Sequence, residues 1–330
     1  MTDKLKLTFA TSDYDHFRDI PLGRVPVEGI DLNVLDLEIE EIFYRFTLHR
    51  EWDVSEMSLA KFVAQVGGDR PDIIGLPVFP SRVFRLSNIY INTDSGIEKP
   101  EDLRGKRIGT PEWAQTASVY TRGWLTDHVG IPLQDVDWHQ AGVNQPGRVE
   151  KVTLNLPKGV KLTPQPERSI GDMLATGDLD AAFSAHAPDT FVAGHPKIKR
   201  LFPDYQAAEQ AYYEETKVFP IMHIIAIQQH ILNDNPWVAG NLYTAFLKAR
   251  ERAIERLHEI TASRITIPWI TDVAEKSEKL LGEDFFPYGI EPNRRTLEAF
   301  LKWHYEQGIT KRLLKIEELF PESLQGQFKI

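Results

Sequence analysis

The sequence predicts an α/β fold with more than one compact body. Short runs with strand character alternate with amphipathic helical runs in the first half of the chain, and this rhythm is typical of a sheet with helices on its faces. The same rhythm begins again near Asp94. The chain has 330 residues, which exceeds what one hydrophobic core commonly supports, so two bodies of roughly 150 residues each are expected.

The elements before Asp94 follow from the spacing of apolar residues. Leu5, Leu7 and Phe9 alternate with polar residues, which predicts a half-buried first strand. From Ile39 onward, apolar residues recur three and four positions apart, which predicts an amphipathic helix. The other expected elements are a helix over 58–66 and strands over 30–37, 73–78 and 87–93.

The second half begins with a short helix, a glycine turn and a strand over 100–109. Residues 145–168 are rich in proline and glycine and contain two alternating runs around Lys158-Gly159, which predicts a β-hairpin insertion. From Pro236 onward the pattern is mostly helical. The other expected elements are helices over 116–128 and 170–175, and strands over 136–138, 180–184 and 221–227.

Composition excludes several classes of function. The net charge of −10 argues against nucleic acid or an anionic membrane as a partner, because both require a basic surface. The absence of cysteine excludes disulfides, thiol nucleophiles and thiolate metal sites. No apolar stretch is long enough to span a membrane, and no signal segment precedes the first strand, so a cytoplasmic location is expected.

Motifs for cofactors are also missing from the sequence. There is no His-Glu-x-x-His pattern, no dense Asp/His cluster and no glycine-rich nucleotide loop. We therefore expect no metal ligands and no organic cofactor. A divalent ion held by distant segments stays open as an alternative.

Several strings of residues carry a resemblance to a known family. The runs 100–109 and 177–182 are typical of type II periplasmic-binding-protein-like folds. More specific strings are Asp13-Tyr14-Asp15, Glu56-Met57-Ser58, 77–85, 146–151, 219–223 and Pro287-Tyr288-Gly289. On these strings the chain resembles the 4,5-dihydroxyphthalate decarboxylase family over nearly its whole length.

The resemblance implies a two-lobed type II periplasmic-binding-protein-like fold with a ligand cleft between the lobes. Lobe one would comprise 1–88 and 222–330, and lobe two 89–221 with the insertion near 145–168. The implied activity is that of a carbon–carbon lyase, a carboxy-lyase that converts 4,5-dihydroxyphthalate to 3,4-dihydroxybenzoate and CO2 by acid–base catalysis. The alternative is a solute-binding protein for an aromatic anion that serves a transporter. Either protein would take a small aromatic acid as its ligand and could assemble as a homo-oligomer.

Such a decarboxylase needs a base near the ring hydroxyls and a proton donor beside the ring. His223, in an apolar strand, is the expected catalytic histidine, because imidazole exchanges protons near neutral pH. His186 and His16 are the next candidates. Glu56 could deprotonate a hydroxyl or pair with an arginine. Asp13 could accept a proton, orient an arginine or cap a helix.

The site must also anchor the carboxylate that the product retains. Arg82 follows the Phe79-Pro80-Ser81 turn at a predicted strand end, and a guanidinium matches a carboxylate with two parallel hydrogen bonds. Thr116 could cap a helix as well as bind an anion. Trp113 could form a wall for the aromatic ring or belong to the core. The other expected substrate-binding residues are Ser12, Asp15, Arg18, Ser58, Arg85, Ser184 and His186.

Overall fold

The computed structural model describes residues 4–326. Their strands are β1 (Leu5–Thr11), β2 (Ile30–Asp36), β3 (Val54–Ser58), β4 (Ile73–Leu76), β5 (Ile89–Asn92), β6 (Arg107–Thr110), β7 (Asp137–Gly142), β8 (Leu162–Ser169), β9 (Ala181–Phe183), β10 (Ile198–Arg200) and β11 (His223–Gln228). Their helices are α1 (Ile39–His49), α2 (Leu59–Val66), α3 (Thr116–Asp127), α4 (Ile170–Thr176), α5 (Asp189–Val192), α6 (Tyr205–Thr216), α7 (Gln229–Asp234), α8 (Trp237–Leu257), α9 (Ile270–Leu281) and α10 (Arg294–Glu306).

The chain divides into two compact units. Unit 1 contains the described residues up to Arg82, His223–Arg295, and those from Lys315 onward. Unit 2 contains Val83–Met222 and Thr296–Leu314. Each unit has its own sheet, in agreement with the two bodies that chain length predicts.

Unit 1 is built on a five-stranded sheet in the order β2-β1-β3-β11-β4. Strand β1 runs parallel to β2 and β3, whereas β11 runs antiparallel to β3 and β4. The consecutive residues 224–227 of β11 are fully buried, as expected for an apolar strand that lies between two others in a sheet covered on both faces. Phe246 of α8 packs edge-on against Phe9 of β1, with ring centroids 5.5 Å apart.

Unit 2 is built on a six-stranded sheet in the order β10-β5-β9-β6-β7-β8. Strand β5 runs antiparallel to its two neighbours, and the remaining pairs are parallel. No helix within residues 4–326 has the length and hydropathy that crossing a membrane requires.

The unit boundaries differ from the lobe boundaries expected from the sequence. Residues 83–88 and 296–314 group with unit 2, whereas the family resemblance implied that they belong to lobe one. Side-chain hydrogen bonds explain the second difference. Gln307 accepts from Arg122 Nε at 2.9 Å and donates to the Val119 carbonyl at 2.9 Å, which ties its segment to α3.

The hairpin predicted for 145–168 is wrong. Only the end of this segment is a strand, β8, and it pairs in parallel with β7. Residues 145–161 of the described chain contain no strand. Proline cannot donate to a strand ladder, and Pro146 and Pro157 interrupt the first run. Pro164 and Pro166 are tolerated because β8 lies at the edge of the sheet.

Tyr212 of α6 gives the fold a testable dependence on alkaline pH. Burial raises the pKa of Tyr212 to about 12. The folded chain therefore keeps a proton that the unfolded chain releases near pH ~10. This contribution to stability is complete below pH ~10 and is lost at about 1.4 kcal/mol per pH unit as pH rises toward the folded pKa.

We expect the free energy of unfolding of Tyr212→Phe to fall less steeply with pH above pH ~10 than that of the wild type. The difference in slope should correspond to one proton. Urea unfolding at several pH values measures the slope. Tyr305→Phe is the control, since Tyr305 is exposed. Equal slopes in the wild type and Tyr212→Phe would contradict the assignment.

Candidate active site

A buried carboxylate–imidazole pair lies in unit 1. His223 Nδ1 is 2.7 Å from Glu56 Oε1. The Glu56 side chain is 0% exposed and that of His223 is 18% exposed. The pairing of β11 with β3 creates this contact. His223 lies opposite Ser58 and Ile225 lies opposite Glu56, so the pair are diagonal neighbours on one face of the sheet.

Three further donors converge on the Glu56 carboxylate. The Tyr14 hydroxyl donates to Oε1 at 2.6 Å, while the Thr11 hydroxyl and the Ser12 backbone N–H donate to Oε2 at 3.1 and 3.2 Å. A carboxylate with both oxygens engaged is well suited to hold the Nδ1 proton of His223. That arrangement leaves Nε2, which contacts no hydrogen-bonding group of the described residues, as the nitrogen for proton exchange.

Tyr14 links this pair to a neighbouring cavity. Burial, followed by the negative charge of Glu56, raises the pKa of Tyr14 well above the ordinary tyrosine value. Tyr14 is therefore a hydrogen-bond donor throughout the neutral range. The ring of Phe43 meets the His223 imidazole edge-on at 4.9 Å and restricts its rotation.

The cavity has a volume of about 340 Å³, toward the small end of the range for small-molecule sites. Its walls combine cationic and aromatic side chains. They are formed by Tyr14, Asp15, His16, Pro80, Ser81, Arg82, Arg250, Ala253, Ile254, Leu257, Phe285 and Phe286. Arg82 is largely buried, and its guanidinium carbon lies 5.9 Å from the centre of the Phe286 ring. Such walls suit an aromatic anion.

The structure brings together some of the predicted residues of unit 1 but not others. Glu56 and His223 are in contact, whereas Glu56 pairs with no arginine in the contacts described. Arg82 and Asp15 line the cavity. Asp13 forms a bidentate ion pair with Arg18 at 3.0 and 2.8 Å. Both of those side chains are more than half exposed, and neither lines the cavity.

The remaining predicted residues of unit 1 are Ser12, Asp15 and Ser58. The Ser12 hydroxyl donates to the Leu37 carbonyl at 3.0 Å. Asp15 accepts from His16 Nδ1 at 2.9 Å, and this hydrogen bond is the main cause of its lowered pKa. Ser58 stands at the N-terminus of α2, where its side chain makes no capping hydrogen bond. Substrate contact by these residues stays a prediction.

Thr116 differs from the expected local structure, whereas Trp113 of the same unit agrees with one of its two expected roles. Thr116 is the first residue of α3 and not its cap, because the chain enters the helix at Gln115. Trp113 belongs to the core of unit 2, in line with the alternative considered for it. Its indole N–H donates to the Gln307 carbonyl at 2.8 Å, and the Arg122 guanidinium stacks 3.9 Å from its ring.

The other predicted residues of unit 2 have defined partners. The Ser184 hydroxyl donates to the carbonyl of His186 at 2.7 Å. Arg85 donates to Asn88 Oδ1 at 3.2 Å. Burial lowers the pKa of Arg85 to about 10, so this arginine still carries its charge at neutral pH.

One helical histidine, His304, is fully buried. The reason is its position in α10, four residues after the buried Phe300 and therefore on the same helix face.

Sequence reasoning did not identify Tyr14 or Arg250 as site residues. The sequence does not single out Tyr14, because the acidic residues on either side of it are themselves plausible functional residues. Arg250 did give a signal. It lies four residues after Phe246 and three before Ala253, so it places a charge on the apolar face of α8. Among residues 4–326, no group of three or more His, Cys, Asp or Glu side chains is arranged to hold a metal ion.

Comparison with solved structures identifies the class of fold. The chain matches a periplasmic aliphatic sulphonate binding protein from Escherichia coli with a TM-score of 0.53, at 11% identity, over 98% of this chain and 99% of that one. It matches a periplasmic sulfonate-binding protein from Methylobacillus flagellatus with a TM-score of 0.55, at 12% identity, over 98% and 93%. These likenesses concern the fold alone, and they confirm the type II periplasmic-binding-protein-like class.

Sequence comparison identifies the family. No family model matches the chain. The chain is 38% identical over 329 residues to 4,5-dihydroxyphthalate decarboxylase from Comamonas testosteroni, covering 99% of both proteins. It is 40% identical over 212 residues to the protein of the same name from Pseudomonas putida, covering 64% of this chain and 82% of that one. The chain belongs to the 4,5-dihydroxyphthalate decarboxylase family, as the resemblance predicted.

Proposed function

We propose that this protein is a carboxy-lyase that converts 4,5-dihydroxyphthalate to 3,4-dihydroxybenzoate and CO2. Family membership supports the reaction. The observation that carries the proposal within the structure is the 2.7 Å contact between His223 and Glu56, beside a cavity with cationic and aromatic walls. This arrangement combines a proton-transfer group with a place for an aromatic anion.

The net reaction replaces a carboxylate on the ring by a proton. In our proposal, His223 Nε2 donates that proton to the ring carbon that carries the departing carboxylate. The C–C bond then breaks, its electron pair restores the aromatic ring, and CO2 leaves. The hydroxyl para to this carbon supplies electron density during protonation, most strongly once its own proton has left.

Glu56 acts in this proposal as a positioning residue rather than as the base for the hydroxyl. Its side chain is enclosed, and both of its oxygens already accept hydrogen bonds. It keeps a proton on His223 Nδ1 and stabilises the imidazolium that forms when Nε2 is protonated. Acid–base assistance of this kind typically contributes about 10²–10⁴-fold to a rate.

The proposed reaction needs no organic cofactor, since the hydroxylated ring itself accepts the electrons. Assistance by a divalent ion is a separate question that a chelator can answer. The cytoplasmic location, a homo-oligomeric state and the absence of nucleic-acid partners stay predictions.

The direct test measures CO2 release from 4,5-dihydroxyphthalate by the purified protein, with and without EDTA. Formation of 3,4-dihydroxybenzoate in equal amounts, undiminished by EDTA, is the expected result. Release that EDTA abolishes and a divalent ion restores would support the reaction but overturn metal-independent catalysis. Tight binding of 4,5-dihydroxyphthalate without any CO2 release would overturn the proposal and favour a solute-binding role.

A further inference from the structure

The cavity of unit 1 has a buried arginine in its wall, Arg250 of α8, which is 9% exposed. Its Nη1 donates to the Asp284 carboxylate at 2.8 and 3.0 Å and to the Phe286 carbonyl at 2.9 Å. Its Nε is enclosed without a partner among the described residues. Nη2 has no partner among those residues either, yet it is not enclosed. Nη2 is therefore the guanidinium nitrogen that a ligand in the cavity can reach.

The charges around the cavity favour an anion. Arg82 and Arg250 both line it, and both are largely buried. Asp15 is the one acidic residue among the lining residues described, and its Oδ1 already accepts from His16 Nδ1. Asp284, the partner of Arg250, is half exposed and not part of the lining. Two guanidinium groups and one carboxylate therefore line the cavity, and a carboxylate ligand complements that net positive lining.

The remaining walls favour a flat apolar body attached to that carboxylate. Phe285, Phe286, Ile254 and Leu257 contribute apolar surface. Arg82 already stands over the face of Phe286. An aromatic ring placed between these side chains would bury its faces while its carboxylate meets the guanidinium groups.

We propose that Arg250, together with Arg82, binds the carboxylate that the substrate keeps. This inference rests on the proposed function for the identity of the substrate. A guanidinium stabilises an ionised carboxylate and therefore opposes its conversion to neutral CO2, so the clamped carboxylate is the one retained. Tyr14 lines the cavity and bonds to Glu56, which places the rest of the ring toward the His223–Glu56 pair.

The test uses two unreactive probes, phthalate, which has both carboxylates, and catechol, which has only the hydroxyls. Dissociation constants are measured by titration calorimetry for the wild type and Arg250→Gln. Lys248→Gln is the charge control, because Lys248 is an exposed residue of the same helix. Asp284→Asn removes the ion-pair partner of Arg250 without altering the cavity wall.

We expect Arg250→Gln to weaken phthalate binding roughly 10-fold or more, the scale of a lost charge-assisted hydrogen bond, and to leave catechol binding unchanged. Lys248→Gln and Asp284→Asn should each change phthalate binding less than about threefold. In turnover, Arg250→Gln should raise KM with kcat little changed. If Arg250→Gln does not fold, Arg250→Lys serves instead, since it keeps the charge and loses the planar fork.

Unchanged phthalate affinity in the Arg250 variants would overturn the inference. An equal loss in Asp284→Asn would also overturn it, because Arg250 would then act only by holding the 284–286 segment. Failure of the proposed function is distinguishable from both results. It would appear as absent CO2 release in a wild-type protein that still binds phthalate through Arg250.

Discussion

Replacing His223 by glutamine is expected to lower kcat for decarboxylation by about 10²–10⁴-fold, the usual contribution of general acid–base assistance. Glutamine keeps a polar side chain of similar reach, but it cannot deliver a proton at neutral pH. The dissociation constant for phthalate should change less than about threefold, because Arg82 and Arg250 of the cavity wall, and not His223, are the proposed carboxylate ligands. Pre-steady-state measurement of CO2 release, combined with calorimetric binding of phthalate, separates the two effects.

His230→Gln is the matched control, since His230 is an exposed histidine seven residues further along the chain. This variant should retain wild-type turnover. Wild-type turnover in His223→Gln itself would remove His223 from the mechanism. A loss of phthalate binding as large as the loss of kcat would instead indicate that His223 is needed for the shape of the site.

The local elements of the fold could be predicted because they depend on residues close in sequence. The alternation of Leu5, Leu7 and Phe9 lies on β1, and the apolar residues from Ile39 onward lie on α1. The apolar run that contains His223 lies on β11. The spacing on β1 and α1 follows directly from the geometry of a strand and a helix, and the continuous apolar run of β11 reflects burial on both faces of the sheet.

The contacts that form the site could not be predicted in the same way. Glu56 and His223 are 167 positions apart, and they meet because β11 inserts between β3 and β4. No local pattern specifies that strand order or its register. The resemblance to a family selected both residues, but their hydrogen bond and the enclosure of Glu56 come from the pairing of distant strands.

The incorrect predictions also concern contacts between residues that are distant in sequence. The attachment of 296–314 to unit 2 depends on hydrogen bonds between Gln307 and α3, which no local pattern of the segment indicates. The hairpin prediction used the local content of proline and glycine and two local alternating runs, whereas the parallel pairing of β8 with β7 depends on residues distant in sequence. Arg250 lies on a long amphipathic helix, where single charges are common, and only the neighbouring cavity indicates that this charge has a function.

The role of Glu56 leads to a second large expected effect. Glu56→Gln preserves the volume of the side chain but removes the negative charge that four donors share. His223 then loses the partner that fixes the Nδ1 proton, so a fraction of the imidazole adopts the other tautomer. We expect kcat to fall by about 10²-fold or more, with phthalate affinity retained. Stability should fall by about 1–3 kcal/mol, because buried donors lose their acceptor.

Nitrogen NMR of labelled histidine provides a readout that a purely structural role would not change. In the wild type, the His223 signals should report a protonated Nδ1 and an unprotonated Nε2 at high pH, and Glu56→Gln should shift them toward a mixture. Glu56→Asp keeps the charge but shortens the reach, so it should fall between the two proteins in both kcat and tautomer. Glu41→Gln is the control, an exposed carboxylate paired with Arg45. If Glu56→Gln lowers stability while kcat and the His223 signals stay unchanged, then the role of the carboxylate is structural only. Proton transfer by His223 would then not require Glu56.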